Sequence, residues 1–193
     1  MRHKWIIVGM VALLVVSLAG ILTVYWMEKQ KSESGAAGAG GLAAGDVKDR
    51  SVKLYFRSPS GKGFALLRLE ARSILAPVDN RLFVRKLIDE LKSGSRFGNL
   101  ETLPKDVVVR EVYLVGKQAI LDFSRELCTQ HPGGTTEELA TLYSIVNTLT
   151  GSLPEINTVH ILVEGRRRET LAGGISLDQG LAFSGAYLDG AQN

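Results

Sequence analysis

Cysteine is nearly absent from this sequence, with Cys128 standing alone in 193 residues. No intrachain disulfide can form, and the paired-cysteine spacings of structural zinc sites and stapled secreted scaffolds are excluded. Histidine is scarce, at 3 residues, and aromatics reach only 7%. A strong charge of either sign is also missing: 23 Lys+Arg against 20 Asp+Glu leave a formal +3. Beyond residue 50 the two signs nearly cancel. The pI near 9.0 therefore describes no basic face, and nucleic acid is a poor partner for this chain.

Charge disappears altogether over residues 5–26, WIIVGMVALLVVSLAGILTVYW. At ~1.5 Å of rise per residue a helix of this length is about 33 Å long, enough to cross a bilayer core of roughly 30 Å. Trp5 at one end, with Tyr25 and Trp26 at the other, suits the interfacial belts where amphipathic rings settle. A cleaved secretory signal would have a shorter apolar region closing on a small-x-small site. This block closes instead on Val-Tyr-Trp-Met-Glu-Lys, so an uncleaved single-pass anchor is expected. No cysteine follows the block for lipid attachment.

Arg2 and Lys4 precede the block; Lys29 and Lys31 follow it, offset by Glu28 and Glu33. The positive-inside bias is slight. The short leading tail, residues 1–4, still favours a cytoplasmic amino terminus and an extracytoplasmic domain, periplasmic or cell-surface. Residues 27–50 read as a tether. Their centre, SESGAAGAGGLAAGD, has almost nothing to bury and a root-mean-square reach of about 20 Å. Residues 51–184 carry the mixed pattern of one folded domain, large enough for a core without staples. Residues 185–193 read as a frayed end.

The domain is organised around residues 135–165. Thr135 and Glu138 have capping-box spacing, and Leu139, Leu142, Tyr143, Val146 and Leu149 form one helical stripe. Gly151 and Pro154 are expected to stop the helix. Val159, Ile161 and Val163 then alternate as the apolar face of a strand. Earlier, residues 52–57 and 64–75 read as strands joined by a turn-rich Ser58–Gly63 segment. In the second strand Leu67, Leu69, Ala71 and Ser73 oppose Leu66, Arg68, Glu70 and Arg72, so the charged side is expected to be wet. Residues 77–93 form a helix with Asp79 as its cap and Leu82, Phe83, Leu87, Ile88 and Leu91 as its apolar face. Residues 107–123 form a hairpin about Gly116-Lys117. Thr170 to Ile175 is expected to return as an edge strand.

Few residues carry chemistry. Gly61-Lys62-Gly63 lacks the GxxxxGK[ST] spacing of a phosphate loop. Cys128 and His131, three apart in a loop, would need a converging third group to make a nucleophile and are too few for a closed zinc site. Asp122, Glu126 and Glu164 offer carboxylates, but no spacing brings two of them across a cleft as a glycosidase requires. Arg166, Arg167 and Arg168 read as a solvated turn, with an anion or an acidic partner as the alternative. Asn147 and Thr148 read as hydrogen-bonding near a helix end, with ligand contact as the alternative. No cofactor, metal or catalytic set is expected.

The element order, together with VKLYFRSPSG, LPKDVVVREVYLVGKQAILDFSREL and LATLYSIVNTLTGSLPEINTVHILVEGR, resembles the GerMN domain family of sporulation and germination proteins and envelope lipoproteins. The positions that carry the likeness best are Asn147, Thr148 and Leu149, then Val163, Glu164 and Gly165. The similarity spans about residues 51–176. It implies an α+β fold of the ring-building kind, with two helices packed on a small mixed or antiparallel sheet with hairpins, and a non-enzymatic role at the bacterial envelope. The chain departs from the sporulation type in having one copy of the domain and an anchor in place of a lipidated cysteine. Two functions remain in play. One is a tethered module that self-associates or docks on envelope proteins by strand addition; the other is a protein that binds or hydrolyses peptidoglycan.

Overall fold

The computed structural model describes residues 46–61, 63 and 66–190. The expected span at residues 5–26, with its Trp5, Tyr25 and Trp26 ends, and the tether up to residue 45 lie outside the described residues. Among the described residues no helix is long and apolar enough to cross a membrane.

The fold is α+β, with two sheets where one was expected. Strands β1 (Val47–Arg57) and β2 (Leu67–Pro77) form an antiparallel hairpin. A second sheet has the order β3 (Val109–Val115), β4 (Gln118–Phe123), β5 (Thr158–Val163) and β6 (Arg166–Arg167). In it β4 and β5 run parallel, which requires a crossover. The crossover contains a short helix α2 (Glu126–Thr129) and the long α3 (Thr135–Ser152). Helix α1 (Asn80–Lys92) follows the first hairpin.

The second sheet follows its sequence pattern. Ala119, Leu121 and Phe123 on β4 and Val159, Ile161 and Val163 on β5 are buried in one core with Phe83, Leu87, Ile88 and Leu91 of α1. Asp79 caps α1 as expected, its carboxylate accepting from the N–H groups of Arg81 and Leu82, both at 2.9 Å. The β3–β4 turn falls on Gly116, at φ +58°.

Helix α3 is buried on nearly every side from Glu138 to Leu149, and its polar residues explain why the two sheets stay separate. Ser144, Thr148 and Ser152 recur every fourth residue and so share one face. That face lies along the outer edge of β1. Ser144 Oγ donates to the Tyr55 carbonyl, and Thr148 Oγ1 accepts from the Tyr55 N–H at 3.1 Å. Ser152 Oγ accepts from the Lys53 N–H at 2.9 Å and donates to the Lys53 carbonyl at 3.2 Å. A row of hydroxyls thus occupies the place of a neighbouring strand, and the hairpin edge is satisfied without joining the second sheet.

Several expectations are corrected. The first strand begins at Val47, inside the segment read as tether. Thr135 and Glu138 make no capping box: the residue before the helix is Gly134, at φ +87°, and no side chain caps it. Gly151 does not stop α3, which continues to Ser152; a Cβ at Gly151 would stand 3.4 Å from Tyr55 Cε2, so the glycine sits where the helix meets an aromatic ring. Thr170–Ile175 is not an edge strand, having only a single bridge from Thr170 to Ser176.

The strand β2 is turned over. Glu70, Arg72, Ile74 and Ala76 are buried, while Leu69 is 47% and Leu75 60% exposed. The charges go inward because they are fully partnered. Arg72 Nε donates to Glu70 at 2.7 Å, Nη1 to Glu90 at 3.2 Å and Nη2 to the Gly94 carbonyl at 2.7 Å. Glu70 also accepts from Ser95 Oγ at 2.7 Å and the Arg96 N–H at 3.1 Å. Burial would raise the Glu70 carboxyl, but these donors outweigh it and hold it below the usual carboxylate range.

The segment Gly185–Gly190 is docked, against the expectation of a frayed end. Leu66 donates to the Tyr187 carbonyl at 2.9 Å and Asp189 N–H to the Leu67 carbonyl at 2.6 Å. Asp189 pairs with Arg68 at 2.7 Å, and the rings of Tyr143 and Tyr187 lie 4.2 Å apart.

Candidate functional site

Val163, Glu164 and Gly165 form the β5–β6 corner. Glu164 and Gly165 have φ of +55° and +73°, so they fill a two-residue connection that favours left-handed backbone at both positions. Glutamate is an unusual choice there, and its side chain supplies a reason. Glu164 accepts from the Arg125 N–H at 3.0 Å, and Asp122, buried on β4, accepts from the Gly165 N–H at 2.7 Å. Arg110 Nη1 stands 3.4 Å from each carboxylate. The structure therefore brings Asp122 and Glu164 together, which no spacing in the sequence announced. It does so around a guanidinium and with both carboxylates engaged in holding a turn.

Glu126 stays apart from this pair. The Ser124 hydroxyl and then its own backbone N–H hold its carboxyl below the usual range, opposite to what a general acid needs. Cys128 and His131 do not converge. His131 Nδ1 accepts from the Gly133 N–H at 3.0 Å, and its Nε2 lies 3.2 Å from Thr141 Oγ1. Burial pushes the Cys128 thiol up, away from the thiolate a nucleophile requires. Among the described residues no group of three His, Cys, Asp or Glu is placed to hold a metal ion. A cleft of about 220 Å³ lies beside His131, lined also by Glu101, Thr102, Gln130, Glu137 and Thr141. Glu137 there is paired with Arg57 at 2.7 Å.

Asn147 and Thr148 both make structural bonds, though not to the loop that follows their helix. Asn147 Nδ2 donates to the Ser184 carbonyl at 2.9 Å and its Oδ1 accepts from the Ser184 N–H at 3.0 Å. Thr148 serves the edge of β1, and Leu149 is fully buried. Arg166 and Arg167 are exposed on β6, and Arg168 is exposed just beyond it.

The residue that sequence reasoning missed is Glu138. It is fully buried and accepts from three backbone N–H groups, those of Leu171 at 2.7 Å, Ala172 at 3.0 Å and Gly174 at 2.7 Å. A Cβ at Gly174 would stand 2.8 Å from Glu138 Oε2, so the loop closes this tightly only with glycine there. Capping-box spacing hid this role. The available signal was the Gly173-Gly174 pair, whose second N–H donates to the carboxylate while the first goes to Thr170 Oγ1 at 2.9 Å.

The family model described as "Sporulation and spore germination" matches residues 53–169. The chain belongs to the Germane family. No curated protein matches it. Among solved structures, the chain is similar to the tandem GerMN domains of the sporulation protein GerM from Bacillus subtilis, at 21% identity and a TM-score of 0.52, over 77% of this chain and 49% of that one. It therefore spans about half the length of that tandem. The first GerMN domain of the same protein matches at 20% identity and a TM-score of 0.50, over 68% of this chain and 96% of that one. A candidate lipoprotein from Clostridium perfringens matches at 29% identity and a TM-score of 0.48, over 69% of this chain and 87% of that one. The two GerM comparisons support the fold alone. The Germane match ends at Glu169, so the loop held by Glu138 and the docked Gly185–Gly190 segment lie beyond it.

Proposed function

We propose that this Germane-family chain is a single-pass membrane protein whose domain faces the extracytoplasmic side and works non-enzymatically, as an interaction or assembly module of the envelope related to sporulation or germination. The observation that carries this reading is how the polar groups are used. Around the family positions Asn147, Thr148, Glu164 and Gly165, hydrogen bonds go to the protein's own backbone, while apolar side chains stand exposed on the first hairpin. The resemblance to the GerMN family, which implies a fold of the ring-building kind, points the same way. The anchor rests on the uncharged block at residues 5–26 and its aromatic ends.

Chemical crosslinking of the full chain in its native membrane tests the reading, and a reproducible set of crosslinked envelope neighbours is the expected result. A chain that stays uncrosslinked and releases fragments from peptidoglycan would replace the module with an envelope enzyme. A phosphatase fused after Asn193 should be active only on the outer side of the membrane; activity confined to the cytoplasm reverses the topology.

A further inference from the structure

The described strand edges are unequally protected. The outer edge of β1 is taken by the hydroxyls of α3. That of β3 carries a bulge between Val109 and Glu111, and the Arg85 guanidinium sits on the carbonyls of Val109 and Arg110. Bulges and charges of this sort blunt an edge. The edge of β5 is covered by β6 and by Leu181, whose backbone pairs with Val159 at 2.8 Å in both directions. The edge of β2 is different.

Lys53 and Tyr55 turn their N–H groups away from β2, toward α3. In an antiparallel pair the residues opposite them also turn their backbone groups outward. Those residues are Ala71 and Leu69, and by alternation Ser73 and Leu75 follow. Residues 187–189 cover this edge only at Leu66 and Leu67. From Leu69 to Leu75 it is open among the described residues. The four outward residues include no charge, proline or glycine, and the strand's own Glu70 and Arg72 are turned into the core.

We propose that the β2 edge from Leu69 to Leu75 is the docking edge for a second copy of this chain, paired antiparallel about Arg72. This deepens, and rests on, the association reading above. In that register Leu69 of one copy lies opposite Leu75 of the other, and Ala71 opposite Ser73. Every outward N–H then meets an outward carbonyl. The copy is the favoured occupant because the edge is complementary to itself: on the exposed face leucine meets leucine and two small residues meet, and on the inner face Arg72, opposite its own copy, is already neutralised by Glu70 and Glu90. The two hairpins join into one four-stranded sheet with Leu69 and Leu75 of both copies side by side.

The test uses the full chain in detergent micelles, with Cys128→Ser as background. Ala71→Cys chains mixed with Ser73→Cys chains should form a mixed disulfide dimer in higher yield than either alone, and Tyr113→Cys chains should form little. Ala71→Lys with Ser73→Lys alters only exposed side chains and should weaken dimerisation by about tenfold or more, with the unfolding midpoint unchanged at dilutions where both chains are monomeric. A dimer indifferent to these lysines, or crosslinking equally well through Tyr113→Cys, overturns the β2 edge as its interface. A monomeric chain whose Leu69–Leu75 amides resist hydrogen exchange overturns the second copy in favour of a covering segment of the chain itself. A monomer that still crosslinks to other envelope proteins overturns the second copy and leaves the association reading standing; a monomer with no crosslinked neighbour overturns both.

Discussion

The two sheets of this domain solve the same burial problem in opposite ways. In the β3–β6 sheet the apolar side of each central strand faces the core, and Ala119, Leu121, Val159 and Val163 are fully buried. In the first hairpin β2 buries Glu70 and Arg72 and leaves Leu69 and Leu75 exposed. Removing charges from water is costly and exposing two leucines adds to that cost, so the inverted face persists only because Glu90, Ser95, Arg96 and the Gly94 carbonyl satisfy the pair. A strand therefore turns toward the partners that complete its polar groups, even when the other face is greasier. The consequence lies on the surface: the hairpin presents two exposed leucines beside an open edge, and the second sheet presents charged corners together with Tyr113 and Val115 exposed on β3.

The sharpest way to break this contrast is Arg72→Met. It leaves Glu70 buried without its cation and should cost about 3–5 kcal/mol in denaturant unfolding. Glu70→Leu combined with Arg72→Met should cost clearly less than the two single changes together. Glu70 also sets an acid limit. Its carboxyl is held below the usual value, so its stabilisation is complete above the ordinary glutamate range near ~4.3 and is lost as pH falls through the lowered folded value. Wild-type stability should therefore drop at the acid end, and the doubly substituted chain should lose part of that drop.

Glu138→Gln comes next, at about 2–3 kcal/mol, because the three N–H groups need both carboxyl oxygens and an amide NH2 cannot accept. Hydrogen exchange should quicken at Leu171, Ala172 and Gly174 first, while the hairpin amides stay protected. Thr148→Val removes the acceptor for the Tyr55 N–H and should cost about 1–2 kcal/mol, this time with faster exchange at Tyr55. The smallest effect is expected from Gly151→Ala. The added methyl makes ordinary contact with Tyr55, and the helix should gain about 0.5–1 kcal/mol.

The parts of the fold that could be read in advance are those where local chemistry and burial agree. Asp79 with the stripe Phe83, Leu87, Ile88 and Leu91 announces α1, and Gly116-Lys117 between alternating strands announces the β3–β4 hairpin. What could not be read depends on partners remote in sequence. Period-2 alternation gives the two faces of β2 but not which one is buried, since that is decided by Glu90 and Gly94. Glu138 has the spacing of a cap, yet its partners lie more than thirty residues onward, at Leu171, Ala172 and Gly174. Ser144, Thr148 and Ser152 show their spacing plainly, but only the nearness of β1 makes that spacing a hydroxyl ladder. The candidate site follows the same rule: Asp122 and Glu164 are 42 positions apart in number and meet only because β4 and β5 are parallel neighbours sharing Arg110.

The proposal that this domain acts by contact, through its hairpin, can be tested in place. The most direct measurement places a photo-crosslinking side chain at Ser73 or at Tyr113 of the full chain in its native membrane. A discrete adduct from Ser73 and none from Tyr113 is expected; adducts from Tyr113 alone would refute contact through the hairpin.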